Sequence, residues 1–470
     1  MKIAMFVEGC YPYVVGGVSG WVQMLLETRE DMDFTIYTLL PNREGSGKFQ
    51  YAIPDNVLEI RETYLNDDDA VRTFRKRTKW SQEEKNSFRS LIFGEDTDWM
   101  GVFRFFEKPD ISVNDILMGE GFFEIVQDLY IERYPQCVFT DFLWSVRSLY
   151  LPLFTILKVP VDEADCYHAI STGYAGILAC KGYYLYNKPV ILTEHGIYTR
   201  EREEEIIKAE WTQGIYKDLW IRYFYTLSNC IYQCAAKVVS LFRTARSIQI
   251  ELGCPEEKTR VISNGVYVEQ FADIPGKEPG DDFINIGAVL RVVPIKDVKT
   301  MISAFALAKA KVPNLKLYII GPTDENPEYY KECLEFIESF QLEDIVFTGN
   351  VNVKEYLGKM DMTILTSISE GQPLSILESM AASRPCIATD VGGCRELLYG
   401  GDKDKIGSSG IVVPVMNVGK IAEAIVKLAR DGSLREEMGY HGRLRVREFY
   451  QYEQVTKAYQ ELYEQYWDWR

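Results

Sequence analysis

The sequence predicts an α/β protein made of two domains, each a parallel β-sheet covered by helices on both faces. Short apolar runs alternate with helical patterns in both halves of the chain, as expected for repeated βα units. The length of 470 residues suits two domains of ordinary size. Proline, glycine and charged residues concentrate at 273–282, which predicts a linker between the halves.

We therefore expect a first domain over residues 1–275 and a second over 276–449. Apolar runs predict strands in the first domain at Ile3–Val7, Phe34–Thr38, Cys166–Ile170, Val190–Thr193, Val238–Ser240 and Arg260–Ile262. Residues of about 61–135 do not follow the βα pattern; they are rich in aromatic and charged residues and helical in pieces. We interpret them as an insertion in the first domain that forms a wall of a cleft.

The second domain alternates more regularly. Its predicted strands are Ile284–Leu290, Leu315–Ile320, Ile345–Phe347, Met362–Leu365, Cys386–Ala388 and Ile411–Val413. Helical patterns separate them, for example at Val298–Lys311, Pro327–Phe340 and Val418–Ala429. The final segment, 450–470, is amphipathic and predicts one more helix.

The segment Glu370–Glu378 carries the strongest functional signal. Two glutamates enclose Gly-Gln-Pro-Leu just after an apolar strand. Pro373 suits the first position of a helix, since proline has a preset φ and needs no partner for its nitrogen. A strand, a turn and a helix N-terminus form an anion site, because free N–H groups and the positive end of the helix dipole meet there. Glu370 would stand before the anion and Glu378 beside it.

Two cations follow the first strand of the second domain. Arg291 stands at the end of Ile284–Leu290, and Lys296 precedes the next helical pattern. Arginine offers a planar fork of donors and lysine a point charge, so the pair suits a phosphate. Ligands of open α/β sheets bind at the carboxyl ends of the strands. We expect both cations to meet the anion site there.

Composition excludes several other classes. The net charge of −17 argues against nucleic acid as a partner. The ten cysteines are scattered and complete no zinc pattern, which favours free thiols in a reducing compartment. The apolar run at the N-terminus is too short for a signal peptide, so we expect a cytoplasmic protein. Asp-x-Asp pairs lie in polar surroundings away from the predicted sheet edges, and we expect no metal and no other cofactor.

Arg291, Lys296, Glu370 and Glu378 resemble, in order and spacing, the R-x4-K and E-x7-E pairs of the retaining glycosyltransferases of GT-B fold, family four. Further segments of that pattern are Gly16-Gly17-Val18, Ser263–Val266, Gly321-Pro322, Thr348–Val351 and Gly392-Gly393 with Glu396. In the first half, Gly9-Cys10-Tyr11-Pro12 and Leu192–Glu201 resemble the cytosolic PelF-type glycosyltransferases of Pel exopolysaccharide synthesis.

This resemblance implies two Rossmann-like domains facing a central cleft, with the final helix packing back on the first domain. It implies a nucleotide-diphosphate sugar as donor, UDP-glucose by the PelF resemblance. Arg291 and Lys296 would hold the diphosphate, Glu370 the transferred sugar and Glu378 the ribose. Other implied donor-binding residues are Gly16, Gly17, Gly321, Pro322, Asn350, Val351 and the backbone of Gly371, Gln372, Pro373 and Leu374.

Histidine assignments depend on the same resemblance, because the family often carries a histidine that contacts the donor sugar. His168 and His195 both follow predicted strands of the first domain. Relatives often show H-x-H where this chain has His168-Ala169-Ile170, and the second histidine is absent here. We therefore favour His195 as the catalytic histidine and keep His168 as a donor-binding candidate.

The family retains anomeric configuration, and no enzymatic nucleophile is evident, so front-face substitution is the expected route. The acceptor would be a saccharide, and Pel-type function would add protein contacts with a membrane synthesis and export complex. A sucrose-, trehalose- or glycogen-type synthase is an alternative with the same donor half. Alternatives from other classes are a sugar-nucleotide epimerase of the same fold and a non-catalytic nucleotide-sugar sensor.

Overall fold

The chain forms two units, and each is built on one β-sheet with helices packed against it. A computed structural model describes residues 1–43, 46–65, 79–109, 111–212, 214–401 and 404–466. The first unit contains Met1–Ser240, Arg246–Arg260 and the chain from Gln460 onward, and the second contains Leu241–Ala245 and Val261–Tyr459. The chain thus enters the second unit before the proline- and glycine-rich linker at 273–282.

The first unit is built on a seven-stranded sheet of order β3-β2-β1-β4-β5-β6-β7. Pairing from β3 through to β6 is parallel. Ile3 to Val7 in β1 are almost fully buried, as expected for a central strand covered on both faces. The strands are β1 Lys2–Glu8, β2 Asp33–Leu40, β3 Val57–Tyr64, β4 Cys166–Ala169, β5 Val190–Glu194, β6 Lys237–Ser240 and β7 Thr259–Val261.

Helices of the first unit include a group of five between β3 and β4. The group packs around aromatic side chains; Phe88, for example, contacts Trp80 at 4.5 Å and Phe105 at 4.7 Å between ring centroids. The helices are α1 Gly17–Thr28, α2 Gln82–Phe93, α3 Trp99–Phe106, α4 Val113–Leu117, α5 Glu120–Arg133, α6 Phe139–Lys158, α7 Tyr174–Tyr186, α8 Tyr198–Lys208, α9 Ile215–Cys234 and α10 Arg243–Glu251, whose first residues lie in the second unit.

The predicted insertion at about 61–135 overlaps this group of helices, but β3 continues the sheet as far as Tyr64. The helical part therefore begins later than expected. Residues 66–78 of the predicted insertion lie outside the described part of the chain.

The second unit is built on a six-stranded parallel sheet of order β10-β9-β8-β11-β12-β13. Each of its strands lies where an apolar run predicts one, which confirms the predicted fold class of two parallel α/β sheets. The strands are β8 Ile284–Val289, β9 Leu315–Ile320, β10 Ile345–Gly349, β11 Met362–Leu365, β12 Cys386–Thr389 and β13 Gly410–Val413.

Helices cover both faces of this second sheet. One core cluster joins it to α11, α12 and α16, and another joins it to α14, α15 and α17. The helices are α11 Val298–Lys309, α12 Pro327–Ser339, α13 Val353–Leu357, α14 Leu374–Ala381, α15 Cys394–Tyr399, α16 Val418–Arg430, α17 Gly432–Phe449 and α18 Tyr452–Glu464. In the part of the chain described here, no helix has both the length and the apolar character needed to cross a membrane.

Candidate functional site

The site of the second unit lies where the strand order reverses. β8 is flanked by β9 and by β11, so the chain leaves β8 towards one edge of the sheet and returns to begin the other half. Loops diverge at such a point and leave room for a ligand beyond the carboxyl ends of the strands. Arg291 and Lys296 follow β8, and Glu370 follows β11. The fold thus brings the predicted cations and the first predicted carboxylate to one place.

Lys296 and Glu370 form a direct ion pair at this point. Lys296 Nζ lies 2.5 Å from Glu370 Oε1, and only 17% and 10% of the two side chains are exposed. The hydroxyl of Ser367 donates a second hydrogen bond of 2.5 Å to the same carboxylate oxygen. Because the pair is largely shielded from water, each charge fixes the position of the other. Lys296 is therefore held in place, and the Glu370 carboxylate balances its charge.

Backbone contacts fix the loop that carries Lys296. Thr366, which is fully buried, donates its hydroxyl to the carbonyls of Lys296 at 3.0 Å and Asp297 at 3.1 Å. The amide of Ile368 donates to the carbonyl of Ile295 at 2.9 Å. The loop after β11 thus holds the loop after β8 directly. Such a preformed arrangement needs little reorganisation when a ligand arrives.

Helix α14 begins just after the loop that carries Glu370, and no side chain of its N-cap residue caps it. It begins at Leu374, and Pro373 is its N-cap, so the proline stands one position earlier than predicted. No acidic residue lies in the first turn, and the N-cap residue forms no side-chain hydrogen bond with the first N–H groups. Unsatisfied N–H groups at the positive end of a helix favour an anion. The start of α14 at Gly371–Leu374 thus has the geometry that an anion site needs, and anion binding there stays a prediction.

Gln372 connects this loop to the interior of the second unit. Its side-chain oxygen accepts from the amide of Asn264 at 2.6 Å, and its carbonyl accepts from the Asn264 side chain at 3.2 Å. Gln372 is 5% exposed, so its side chain ties the loop to the core.

Glu378 lies on the second turn of α14 and is half-buried. Burial raises the pKa of its carboxyl from 4.5 to about 7, and the nearby Lys354 ammonium partly opposes this rise in pKa. A carboxyl that titrates near neutrality can be a strong hydrogen-bond acceptor when ionised and a donor when protonated.

Arg291 is more exposed than Lys296 and pairs with Glu325 at 2.8 Å. Gly321 and Pro322 follow β9 and lie directly beside it. The amide of Val292 donates to the Pro322 carbonyl at 3.0 Å. Gly321 has φ of +144°, and a Cβ there would lie 2.0 Å from the Leu290 carbonyl oxygen, so this close approach requires glycine.

Asn350 and Val351, two predicted donor-binding residues, lie at the edge of the second sheet. They follow β10, two strands from β8. Asn350 is exposed, and Val351 is half-buried. Arg291 therefore lies beside the loop after β9, whereas the loop after β10 lies at the edge of the sheet.

The turn Gly392-Gly393 after β12 supports the loop of Glu370 from behind. A Cβ on Gly392, whose φ is +51°, would lie 2.1 Å from the Glu370 carbonyl oxygen and 2.3 Å from that of Gly371. The Gly393 amide donates to the Gly371 carbonyl at 2.8 Å. Glycine at this turn is thus required by close packing.

In the first unit, Gly16 and Gly17 form the N-terminus of α1 after β1. Gly16 is the N-cap and has no side chain to cap the helix. Its amide lies 3.3 Å from the Tyr51 hydroxyl, and a Cβ on either glycine would meet nothing within 4 Å. The two glycines therefore leave the start of α1 open on its outer side, as a donor-phosphate role requires.

His168 is fully buried and has both ring nitrogens engaged. Nδ1 lies 2.6 Å from the Tyr463 hydroxyl, and Nε2 lies 2.9 Å from Thr193 Oγ1. Burial lowers its pKa to about 3, so the ring is neutral. These contacts leave no ring nitrogen for a sugar, and the expected donor contact of His168 does not fit its geometry. His168 instead anchors the last turn of the chain.

His195 differs from His168 in both exposure and partners. It follows β5, is half-buried, and packs edge-on against the Trp21 ring with 4.7 Å between centroids. Its Nε2 is buried and has no hydrogen-bond partner within the described residues. Burial lowers its pKa to about 4, which keeps the ring neutral at physiological pH. An orphaned buried nitrogen of this kind suits a bound hydroxyl.

Sequence reasoning missed the residues that position the predicted ones. Ser367 and Thr366 hold Glu370 and the Lys296 loop, and Glu325 pairs with Arg291. Ser367 stands three residues before Glu370, a spacing that could have indicated a local hydrogen bond. Glu325 lies in another loop, and only the sheet topology brings it to Arg291. The described residues contain no cluster of three potential metal ligands.

Comparison with protein families divides the chain as the fold does. Residues 1–257 match a family described as a domain of unknown function, DUF3492, and residues 281–431 match the family Glycosyl transferases group 1.

Two similar proteins are named for the synthesis of a glucosaminyl malate and of a capsular polysaccharide. N-acetyl-alpha-D-glucosaminyl L-malate synthase of Bacillus anthracis is 31% identical over 171 residues, which are 36% of this chain and 42% of the relative. Capsular polysaccharide biosynthesis glycosyltransferase CapM of Staphylococcus aureus is 24% identical over 257 residues, or 52% of this chain and 65% of the relative. The chain thus spans less than two thirds of each relative's length.

Among solved structures, HepE of Anabaena in complex with UDP and glucose is similar over the whole chain. Its TM-score is 0.63 at 15% identity, and the alignment covers 99% of this chain and 100% of that one. The likeness identifies the fold as GT-B, with two Rossmann-like domains.

Proposed function

Because the chain belongs to the family described as DUF3492 and its second unit is a glycosyltransferase domain of group 1, we propose that it transfers a glucosyl unit from UDP-glucose to a saccharide acceptor. The transfer retains the anomeric configuration. The glucosyl unit and the retention derive from the motif resemblance, and the sugar-transfer chemistry derives from the site of the second unit.

The observation that carries this proposal is the ion pair of Lys296 and Glu370 beside the uncapped start of α14. A diphosphate placed at the helix N-terminus would attract the Lys296 ammonium and the Arg291 guanidinium. Lys296 would then exchange its carboxylate partner for a phosphate. Glu370, released from the ammonium, would accept hydrogen bonds from hydroxyls of the transferred sugar.

These groups stabilise the charge that develops as the glycosidic bond breaks. Negative charge accumulates on the leaving diphosphate in the transition state, and Arg291, Lys296 and the α14 N–H groups are placed to bind it. Because this stabilisation increases along the reaction, it lowers the barrier and does more than aid binding. No metal is needed for this role in our proposal.

Glu378 would bind the ribose hydroxyls, and the neutral His195 of the first unit would contact the sugar. Front-face substitution is the proposed route, with the leaving phosphate taking the proton of the acceptor hydroxyl. This route requires no enzymatic nucleophile.

We place the reaction in a Pel-like exopolysaccharide pathway in the cytoplasm, with protein contacts to a membrane synthesis and export complex. The support is the resemblance of Gly9–Pro12 and Leu192–Glu201 to PelF-type enzymes. Washing membranes with salt and carbonate tests the partner: a chain held by protein contacts is released, whereas retention would contradict the proposal.

A panel of UDP-sugars tests the reaction. UDP release is measured with UDP-glucose, UDP-galactose and UDP-N-acetylglucosamine, with and without a saccharide acceptor. We expect release that depends on the acceptor and is fastest with UDP-glucose, and a product with the α-linkage of the donor by NMR. The Arg291→Ala variant should lose this release, and the control Arg395→Ala, which breaks an exposed pair with Asp390, should keep it.

Other outcomes would favour the alternatives. A new free sugar together with UDP, without acceptor, would favour an epimerase. Binding of UDP-glucose without any UDP release would favour a sensor. Transfer to a small sugar or sugar phosphate, or to a glucan primer, would favour a sucrose-, trehalose- or glycogen-type synthase.

A further inference from the structure

The helical part of the first unit contains a pocket that the proposed transfer does not use. Its volume is about 240 Å³. It lies where the turn between α2 and α3 meets the C-terminal half of α9. The residues that line it include Asp96, Thr97, Trp99, Thr226, Asn229 and Gln233.

One aromatic wall and several polar groups form this pocket. The Trp99 indole is half-buried and packs on Phe103 with 5.9 Å between ring centroids, so the ring is fixed. On α9, Asn229 and Gln233 are exposed, and the Gln233 side-chain nitrogen donates to the Gly253 carbonyl at 3.2 Å. An amide side chain offers both donors and acceptors, which is what a ring of hydroxyls needs. A flat apolar face with planar polar side chains suits the C–H face and the hydroxyl rim of a sugar.

Charge in the surroundings favours a neutral ligand. None of the described residues that line the pocket is a lysine or an arginine. The nearby Arg133 bonds to the Phe93 carbonyl and pairs with Glu95, and Arg222 pairs with Asp218. A phosphate or another anion would therefore find no available cation. Asp96 adds an acceptor that hydroxyl donors can satisfy.

The wall formed by the α2–α3 turn is held in place before any ligand binds. Gly94 ends α2 with φ of +67°, and a Cβ there would lie 3.1 Å from Thr226 Oγ1. Asp96 has φ of +38°, a conformation uncommon outside glycine. The Thr97 hydroxyl donates to the Ser90 carbonyl at 3.3 Å. Strained backbone that the surroundings enforce is frequent at binding sites.

We propose that this pocket binds one neutral sugar residue of the acceptor chain, as a site separate from the one at which transfer occurs. The inference rests on the proposed function only in taking the acceptor to be a saccharide. A growing chain held here would stay with the enzyme between transfers.

Calorimetric titration with maltohexaose, cellohexaose and chitohexaose tests the binding. At least one of these probes should bind the parent protein. Asn229→Ala should weaken that binding about tenfold, and Trp99→Ala at least as much, on the scale of a lost aromatic contact. Asn229 is exposed on its helix, so its variant keeps the fold even if Trp99→Ala does not. Trp144→Ala removes another exposed tryptophan, on α6, and should leave binding unchanged.

Titration with UDP and the release of UDP without acceptor separate this site from the proposed transfer site. Both measurements should be the same in Asn229→Ala and the parent. If no probe binds the parent, or if Asn229→Ala and a folded Trp99→Ala bind as tightly as the parent, the pocket proposal is overturned. Saccharide binding that depends on Asn229, in a protein that never releases UDP, would support the pocket and overturn the proposed function.

Discussion

Lys296 and Glu370 neutralise each other in a place where both are largely shielded from water. Truncating one partner of such a pair leaves the other charge uncompensated, which affects stability as well as function. Variants at these positions therefore need a folding control besides an activity measurement. Under the proposed function the two residues would act on different parts of the donor, since they are adjacent but only Lys296 is a cation.

Lys296→Ala should lower turnover by about two or more orders of magnitude, the loss seen when one preorganised charge contact to a transition state is removed. Steady-state UDP release with UDP-glucose measures it. Lys299→Ala is the matched control, because Lys299 lies on α11 and pairs at the surface with Glu332. A Lys296→Ala variant that is folded and retains activity within about threefold of the parent would contradict the assignment.

Glu378 should make donor affinity depend on pH. Its pKa is raised to about 7 by burial, so the carboxyl is protonated below neutrality and ionised above it. The ionised form accepts stronger hydrogen bonds from ribose hydroxyls. Affinity for UDP-glucose, whose phosphates do not titrate in this range, should thus rise from about pH 6 to about pH 8.

Glu378→Gln is the variant that tests this pH dependence, and calorimetry at several pH values measures it. The glutamine variant should show a flat profile. The raised pKa also predicts how stability depends on pH. Because the folded state holds the Glu378 proton more tightly than the unfolded state, the free energy of unfolding falls as the pH rises from about 4.5 to about 7. The variant should therefore gain stability relative to the parent above neutrality. A parent profile that is flat, or a slope that persists in Glu378→Gln, would argue against a ribose role.

At the scale of elements, the site depends on turns that pack against each other with no space for a side chain. The Gly392-Gly393 turn lies against the backbone of Glu370 and Gly371, and Gly321 lies against Leu290. These contacts set the distance between the loops of β11 and β12 and between those of β8 and β9. Glycines at the ends of strands thus set the positions of the loops that carry the larger residues of the site.

Gly392→Ala should impair transfer although residue 392 bears no functional group. Its positive φ disfavours alanine by about 1–2 kcal/mol, and the new Cβ would push against the carbonyls of Glu370 and Gly371. We expect lower turnover and a lower melting temperature. Gly419→Ala, on the first turn of α16, is the control, since its Cβ would meet only Asn417 at 3.7 Å. Equal activity of Gly392→Ala and the parent would show that the turn does not position Glu370.

The strands of both sheets were largely predictable, because buried parallel strands are apolar throughout. β3 was missed, since Val57–Tyr64 carries glutamates and an arginine and only part of it is buried; its position at the sheet edge permits this. Pro152 lies inside the twenty-residue helix α6, although proline ordinarily disfavours a helix interior. Packing of Leu149, Leu153 and Leu157 against the core outweighs the missing hydrogen bond.

The part of the site that could be predicted is the part whose residues stand directly after strands in the sequence. Arg291, Lys296 and Glu370 are brought to one region as expected, because each follows a strand and the strands are neighbours. The ion pair between two of them, and the partners Ser367, Glu325 and Asn264, depend on the geometry of loops. The burial of His168 by Tyr463 joins residues far apart in sequence, which no local pattern indicates.

At the scale of the whole molecule, the two sheets share a strand order. In each sheet the first strand lies in the interior, with the second strand on one side of it and the fourth strand on the other. The net charge is −17, so the molecule as a whole repels a nucleotide-sugar. Local cations must overcome this field, and Arg291 and Lys296 are placed to do so. We therefore expect donor affinity to increase when salt screens the general repulsion, until it also weakens the local contacts.

Transfer should be unaffected by a chelator. Under the proposed function, Arg291, Lys296 and the α14 N–H groups would together offset the charge of a diphosphate, which is the task a metal performs in other enzymes. UDP release measured with excess EDTA should equal the rate without it. Loss of activity that Mn²⁺ or Mg²⁺ then restores would refute metal independence, and restoration by Ca²⁺ alone would point to a structural ion.

The ion pair of Lys296 and Glu370 also bears on how the spent nucleotide departs. Under the proposed function, the sugar that occupies Glu370 leaves with the acceptor, and the carboxylate is again without a partner. The Lys296 ammonium is then drawn back from the phosphate to Glu370, so the enzyme itself competes with UDP for one of its cations. Product inhibition by UDP should accordingly be stronger in Glu370→Gln than in the parent, since the glutamine exerts no such pull.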